Sequence, residues 1–461
     1  MNNNLKIFPV ACHTDNIGPR STFVAINGVK EHGTAYIPLA ITKGATKIVL
    51  EFNDHVITDA SVEIIRVDNA RKALAELSAQ SYNYPARKLR IIAITGTKGK
   101  TTTSFLIEHL LRSAGYKTAL LSTVYNKINN VIMPTTLTTR QPDYLHAFFN
   151  ECVNAQVEYV IMEVAAQALS LYRVHGLQFD AVVMTNFSQE HAEFYPTMSE
   201  YFAAKASILS QLRDQAPLVI NVDDAHIAPL ARAYARVAPY SLNNIILINK
   251  PSGLDLVCVY RNQELCITCP ALIGAFNGYN ILAAIKIAEH FGVDAVTVQE
   301  ALATFAGVPG RFDKYALPNG AQAVIDYAHN PSSFQAVLPT LKALTDHFIV
   351  VFGCGGERDS IKRPLMGEIA ALYADLIIIT TDNCRSEIAA DIARDIMNGI
   401  PIEKQAHVIV ELDREQAIKR AYTQSKSSSI IALLGKGPDE YQLIQGVKYP
   451  FSEKAILKSL V

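Results

Sequence analysis

The 461-residue chain is long enough for about three domains of ordinary size. Hydrophobic residues make up 49% and charged residues 18%, a balance that supports a sizeable folded core. The formal net charge of −1 gives no electrostatic reason to expect nucleic acid or an anionic membrane as partner, so small molecules are the expected ligands. No apolar run reaches the ~20 residues of a membrane helix. The start, Met1-Asn-Asn-Asn-Leu-Lys-Ile-Phe, lacks a secretory apolar core, so a cytoplasmic address is expected.

In chain order, residues 1–86 mix short strands (22–26, 45–50) with a helix over Ala70–Ser81. The polar, proline-marked Tyr84-Pro-Ala-Arg-Lys88 reads as a linker. A β-branched run, 91–95, then stops at Gly96, and Gly99-Lys100-Thr101 opens a helix of good formers. Strand, glycine turn and helix N-terminus together make a phosphate cradle, in which backbone N–H groups and the helix dipole face the anion. Lys100 supplies a point charge for the β/γ-phosphates and Thr101 a hydroxyl for Mg²⁺. The spacing is short: Ile94 stands where the usual loop has its first glycine.

Apolar runs at 157–162, 181–185 and 217–222 alternate with helical or loop material, the rhythm of a parallel sheet wrapped by helices. Gly307-Val-Pro-Gly-Arg311 reads as a second linker, and a new alternation follows at 323–326, 348–353, 376–380 and 430–434. The expected fold is therefore α/β with three domains, 1–86, 87–309 and 310–461. The central domain holds an ATPase-like parallel sheet and the last a Rossmann-like one. Seven scattered cysteines suit a reducing compartment. Cys258, Cys266 and Cys269 lack a second Cys-x-x-Cys pair and read as core residues of a hairpin rather than a zinc site.

Ligands of open parallel sheets sit at the carboxyl ends of the strands. Those ends carry Glu163, the polar run 185–191 with His191, Asp326-Tyr-Ala-His329, the glycine-rich 353–359, Thr381-Asp-Asn-Cys-Arg385 and Gly435-Lys-Gly437. Residue type alone makes Lys205, within a helical stretch, an ordinary solvated lysine.

These strings together resemble the Mur ligases, most closely the type that adds an amino acid to a UDP-N-acetylmuramoyl-dipeptide. Thr95-Gly-Thr-Lys-Gly-Lys-Thr-Thr102 is similar to the family's T-G-T-N-G-K-T-T. Leu272-Ile-Gly-Ala-Phe-Asn-Gly-Tyr-Asn-Ile-Leu-Ala-Ala284, Val308-Pro-Gly-Arg311, Asp326-Tyr-Ala-His329 and the run 351–367 match further signatures in order. The resemblance implies ATP-dependent amide formation through an acyl phosphate, with ATP and Mg²⁺ required and a monomeric enzyme expected. It places the nucleotide on Gly96, Thr97, Lys98, Gly99, Lys100, Thr101 and Thr102, with Asn280 at adenine and Arg311 and Asp326 also at ATP. Thr101, Glu163 and His191 are implied for Mg²⁺. Lys205 matches the family's carbamylated lysine, which supports a second Mg²⁺, and His329 stands near the reacting groups. Catalytic roles thus fall to Lys100, Lys205 and His329.

The amino-acid side is implied at Arg358, Asp382, Asn383, Arg385, Gly435 and Asp439. Asp382-Asn-Cys-Arg385 resembles the D-N-P-R of ligases that add meso-diaminopimelate, where Arg385 could make a bidentate contact with the distal carboxylate. The acceptor side is implied at Thr14, Thr138, Thr139 and Arg173, and here the chain departs from the family. The uridine-binding D-S-R reads His13-Thr-Asp15, and E-V-S-S-H reads Glu163-Val-Ala-Ala-Gln167. Two functions stay open on these grounds: the peptidoglycan-precursor ligase, and a relative that joins a similar amino acid to a different carboxylate. A folylpolyglutamate synthetase-like enzyme and a non-catalytic nucleotide-binding scaffold are the remaining alternatives.

Overall fold

A computed structural model describes residues 7–28, 31–54, 62–188, 190, 194–243, 245–250 and 252–460. The chain divides into two compact units: residues 1–245 with 259–265 and 279–301, and residues 246–258 with 266–278 and 302–461.

The first unit holds two sheets. A four-stranded parallel sheet runs in the order Val10–Ala11, Thr22–Val24, Lys47–Glu51, Glu63–Val67. Helix Ala70–Ser81 is capped by Asn69, whose side chain accepts from the Lys72 N–H, and lays its apolar face on Val10, Val24 and Val49. The larger sheet has eight strands, in the order Val237–Tyr240, Leu218–Asn221, Ala181–Met184, Arg90–Thr95, Tyr159–Glu163, Thr118–Leu121, Asn126–Ile128, Val131–Met133. Its first six strands are parallel, as the alternation predicts. Residues 126–133 add an antiparallel edge that their short, half-polar sequence does not announce. The central strands are buried on both faces, which explains their unbroken apolar runs. One apolar core runs from Phe8 through Phe148 to Ile227, across both sheets.

The second unit is built on a six-stranded sheet, in the order Asp313–Ala316, Gln322–Asp326, Ile430–Leu434, Phe348–Phe352, Leu376–Ile379, Val408–Val410. All pairs are parallel except the first. The register sets Asp326 and Phe352 on either side of Leu434, and Phe352 beside Ile379. Four neighbouring strands therefore end at one level, and their following loops meet there.

The expected strands around Cys258 and Cys266 form, as Gly253–Tyr260 and Gln263–Cys269. Cys258 and Cys269 are buried, but Cys266 is exposed. The period-2 alternation of the second strand turns residue 266 outward while 265, 267 and 269 point in, so only two of the three are core residues.

Candidate active-site residues

The phosphate loop is held by the end of the neighbouring strand. Thr185 Oγ1 donates to the Lys98 carbonyl at 2.6 Å, and Asn186 Nδ2 donates to the same oxygen at 2.9 Å. The Lys98 N–H donates to Asn186 Oδ1 at 2.9 Å, the Thr97 N–H donates to the Asn186 carbonyl at 2.9 Å, and Thr97 Oγ1 donates to the Ser188 carbonyl at 3.2 Å. Gly96 adopts φ +138° and Gly99 φ +82°. A Cβ on Gly96 would stand 2.0 Å from Thr185 Oγ1, and one on Gly99 would stand 2.4 Å from Asn280 Oδ1. Both glycines are thus demanded by conformation and by close approach together. Gly96→Ala is expected to destabilise the protein by roughly 2–4 kcal/mol and to weaken nucleotide binding. Thermal melts with and without ATP check this, and an unchanged melting temperature rules out the steric account.

Lys100 begins helix Lys100–Ser113, and its Nζ donates to the Gly96 and Thr97 carbonyls, each at 2.9 Å. Thr101 and Thr102 follow, both buried. Asn280, implied at adenine, is buried against the loop, where its Oδ1 accepts from Thr103 Oγ1 at 3.2 Å.

Glu163 ends the strand beside the phosphate-loop strand and is fully buried. Its Oε2 accepts from Thr101 Oγ1 and Thr123 Oγ1, each at 3.0 Å, and its Oε1 accepts from the Thr123 N–H at 2.8 Å. The grouping is all oxygen, one carboxylate with two hydroxyls, the donor chemistry that suits a hard cation such as Mg²⁺. His191 lies outside the described residues. Thr123 Oγ1 also lies 3.1 Å from Thr138 Oγ1 and, with its own proton on Glu163, accepts from that hydroxyl. Thr139 Oγ1 donates to the Glu163 carbonyl at 2.9 Å, and Arg173 Nη1 donates to the Thr139 carbonyl at 3.0 Å. Thr138, Thr139 and Arg173 are thereby brought onto the Glu163 end of the cradle. Thr14 is buried in a short 3₁₀ turn, its carbonyl accepting from Lys43 Nζ at 3.0 Å, and Asp15 pairs with the same lysine at 3.2 Å.

Lys205 corrects the expectation of a solvated side chain. It lies in helix Met198–Ala206 but is only 2% exposed, and its Nζ donates to the Gly96 carbonyl at 2.8 Å. The helix face that carries it packs inward with Tyr201, whose ring centroid is 4.5 Å from Nζ. Burial, with the positive Lys100 nearby, pulls its pKa down to about 6, against an opposing pull from Glu190. At neutral pH the amine is uncharged, the form that can attack CO₂.

In the second unit the strand ends gather as the register requires. Asp326 is buried, and its carboxylate accepts from the Phe312 N–H at 3.0 Å and the Ala328 N–H at 2.8 Å. The Arg311 guanidinium lies 4.6 Å over the Tyr327 ring. His329 Nδ1 is 2.7 Å from the Tyr327 carbonyl, which can only accept, so that nitrogen carries the proton. Gly435, at φ +105°, sits against Asp382, whose Oδ2 would be 3.0 Å from an added Cβ. Asp382 and Asn383 are buried and Arg358 is exposed. Arg385, at φ +53°, donates through Nη1 to the Gly356 carbonyl. Asp439 is half-buried, and desolvation raises its pKa against the pull of Lys436.

Several residues here were not reached from the sequence. Thr123 follows a strand end at 121, so the same strand-end rule could have found it. Thr185 and Asn186 lie in the polar string 185–191, where His191 is the more conspicuous ligand type. Arg414 and Glu453 gave no signal. They form a buried ion pair at 2.8 Å, and Arg414 also donates to the Thr381 and Leu434 carbonyls, each at 2.8 Å, pinning two of the neighbouring strand ends.

Residues 94–288 match the Mur ligase middle domain and residues 310–437 the Mur ligase glutamate ligase domain. The chain is 35% identical to the UDP-N-acetylmuramoyl-L-alanyl-D-glutamate–2,6-diaminopimelate ligase of Caldanaerobacter subterraneus subsp. tengcongensis, over 100% of this chain and 96% of that protein. It is 36% identical to the ligase of the same name from Aquifex aeolicus, over 95% and 90%. A solved structure of a ligase so named superposes with a TM-score of 0.67 at 29% identity, covering 98% of this chain and 94% of that one. The ADP complex of a Thermotoga maritima MurF ligase shares the fold, with a TM-score of 0.65 at 17% identity over 94% and 95%.

Proposed function

The chain belongs to the Mur ligase family of ATP-dependent, amide-forming ligases, and from that premise we propose that it joins meso-diaminopimelate to UDP-N-acetylmuramoyl-L-alanyl-D-glutamate in peptidoglycan precursor synthesis. The observation that carries this reading is a complete phosphate cradle, with Glu163 on Thr101 and Lys205 on Gly96, in a chain similar over its full length to diaminopimelate ligases. We place the reaction in the cytoplasm and on a single chain. Among the described residues no helix is long and apolar enough to cross a membrane.

The acceptor carboxylate attacks the γ-phosphorus, ADP leaves, and an acyl phosphate forms. The incoming amine then attacks the acyl carbon, loses a proton and expels inorganic phosphate. Such transfers need positioning and charge neutralisation more than covalent help from the protein. The loop N–H groups hold the β-phosphate, and Lys100 moves from the Gly96 and Thr97 carbonyls to the β/γ-oxygens. Thr101 and Glu163 would hold Mg²⁺, which neutralises charge on the phosphates. Lys205, uncharged at neutral pH, takes up CO₂ and releases a proton, turning a buried amine into a carbamate anion. His329 keeps its Nδ1 proton on the Tyr327 carbonyl, which fixes its ring near the reacting groups. Arg385 and Asn383 receive the distal carboxylate of the diamino acid.

Phosphate release from ATP, measured with a panel of acceptors and amino acids, tests the reading. Turnover is expected only with the UDP-muramoyl dipeptide and diaminopimelate together. Arg385→Ala is expected to raise KM for diaminopimelate roughly tenfold to a hundredfold, the loss of a charged hydrogen bond, with KM for ATP unchanged. A second reading, in which the acceptor is a different carboxylate, is favoured by the first-sheet turn. There Asp15 is tied to Lys43, and no arginine stands in the His13–Asp15 stretch. Turnover with another acid and none with the muramoyl dipeptide would select it.

A further inference from the structure

We propose that Lys436 is a positioning residue that sets amino-acid selectivity by fixing which end of the Asn383 amide faces the substrate. The proposal rests on the reading of residues 382–385 as the amino-acid site and adds a residue to it that touches no substrate.

Lys436 follows the strand Ile430–Leu434 and has no exposed surface. Its Nζ donates to Asn383 Oδ1 at 3.1 Å and lies 3.5 Å from Asp382 Oδ1. The same Asn383 Oδ1 accepts the Leu443 N–H at 2.8 Å, from the hairpin formed by Tyr441–Ile444 and Val447–Pro450. An ammonium and a peptide N–H can only donate, so the atom between them must be the carbonyl oxygen. The amide orientation is therefore dictated by chemistry. The Nδ2 group is turned away from both donors and has no hydrogen-bond partner among the described residues. It presents two N–H donors, and Arg385 adds a guanidinium two residues on. An amide N–H pair beside a guanidinium favours a carboxylate over an ammonium.

Removing the Lys436 donor leaves the Leu443 N–H as the one remaining hold on the oxygen, so the flipped amide becomes easier to populate. A flipped amide offers its oxygen to the substrate, which repels a carboxylate and tolerates the ammonium of lysine. Buried Asp382 depends on the same lysine, its Oδ1 having no hydrogen bond of its own. A plain loss of activity in a Lys436 variant would therefore be ambiguous, and the test is built on selectivity.

The experiment compares wild type, Lys436→Met and Lys436→Gln in kcat/KM for diaminopimelate and for L-lysine, with KM for ATP and the melting temperature as controls. Both variants lose the charge facing Asp382, but glutamine keeps an N–H donor for Asn383. The expected result is a tenfold or greater fall in the diaminopimelate-to-lysine ratio for Lys436→Met, substantially restored in Lys436→Gln, with KM for ATP within twofold of wild type. A ratio unchanged in the methionine variant, or lost equally in both, overturns the proposal. If Lys436→Met does not fold, the glutamine variant decides: a ratio within threefold of wild type supports it, and a larger fall overturns it. Failure of the proposed function shows separately, as wild-type protein that does not turn over diaminopimelate. In that case, binding of diaminopimelate and lysine to the wild type and both variants by calorimetry reads the same ratio.

Discussion

Lys100→Met is expected to lower ATP-driven product formation about 10²–10³-fold, the usual loss when one preorganised charge is removed from a transferring phosphoryl group. Methionine keeps the length of the side chain and removes only the ammonium. In the protein Lys100 Nζ rests on the Gly96 and Thr97 carbonyls, both at 2.9 Å, on a half-buried side chain. Water can reach those carbonyls once the ammonium is gone, so stability is expected to change little. The loop itself is held independently, by Thr185 and Asn186 on the Lys98 carbonyl and by Asn186 on the Lys98 and Thr97 N–H groups. Steady-state ADP release at saturating acceptor and amino acid gives kcat, and a melt gives the stability control. A fall in kcat of less than fivefold would falsify the placement of the triphosphate on this loop.

Lys205→Met is expected to abolish turnover and, in the same protein, to raise stability. The two effects have one cause. The lysine is buried beside Tyr201 and the positive Lys100, which pulls its pKa to about 6 from an ordinary 10.5. The unfolded chain therefore binds a proton that the folded chain does not hold between pH 6 and pH 10.5. Stability then rises with pH across that window, and the penalty is fully present below pH 6. Methionine carries no such penalty. The variant is expected to melt several degrees above wild type at pH 6, in decarbonated buffer with chelator, with the gap closing as pH approaches 10. Added bicarbonate should stabilise wild type and leave the variant unmoved. A wild type that matches the variant at pH 6 would show that the amine is solvated, and so would sink its role as a carbamate. A variant that keeps more than a few per cent of activity would do the same for catalysis.

Much of the molecule was legible before folding because the relevant signals are local. The run 91–95, the glycines at 96 and 99, and the helix formers after Lys100 lie within a few residues of one another. Strand, turn and helix start follow from that order alone. The apolar runs of both large sheets are equally local, since a strand buried on both faces must be apolar at every position. The antiparallel edge 126–133 and the outward turn of Cys266 were not legible in the same way. Which face of a short strand is covered depends on a neighbour elsewhere in the chain.

The sequence by itself determined the engine: a phosphate cradle, polar strand ends, and the motif order that the Mur ligases share. Side-chain type and short-range spacing are enough for that, because a phosphate cradle is built from contiguous backbone. The tertiary structure decided the states of the individual groups. Lys205 becomes a neutral amine only because helix Met198–Ala206 buries it on Gly96, 109 positions away. Asn383 acquires a fixed amide end only because Lys436 and Leu443, 53 and 60 positions on, converge on its oxygen. Desolvation and hydrogen-bond geometry belong to the neighbourhood a fold creates, and no local pattern in the chain carries them.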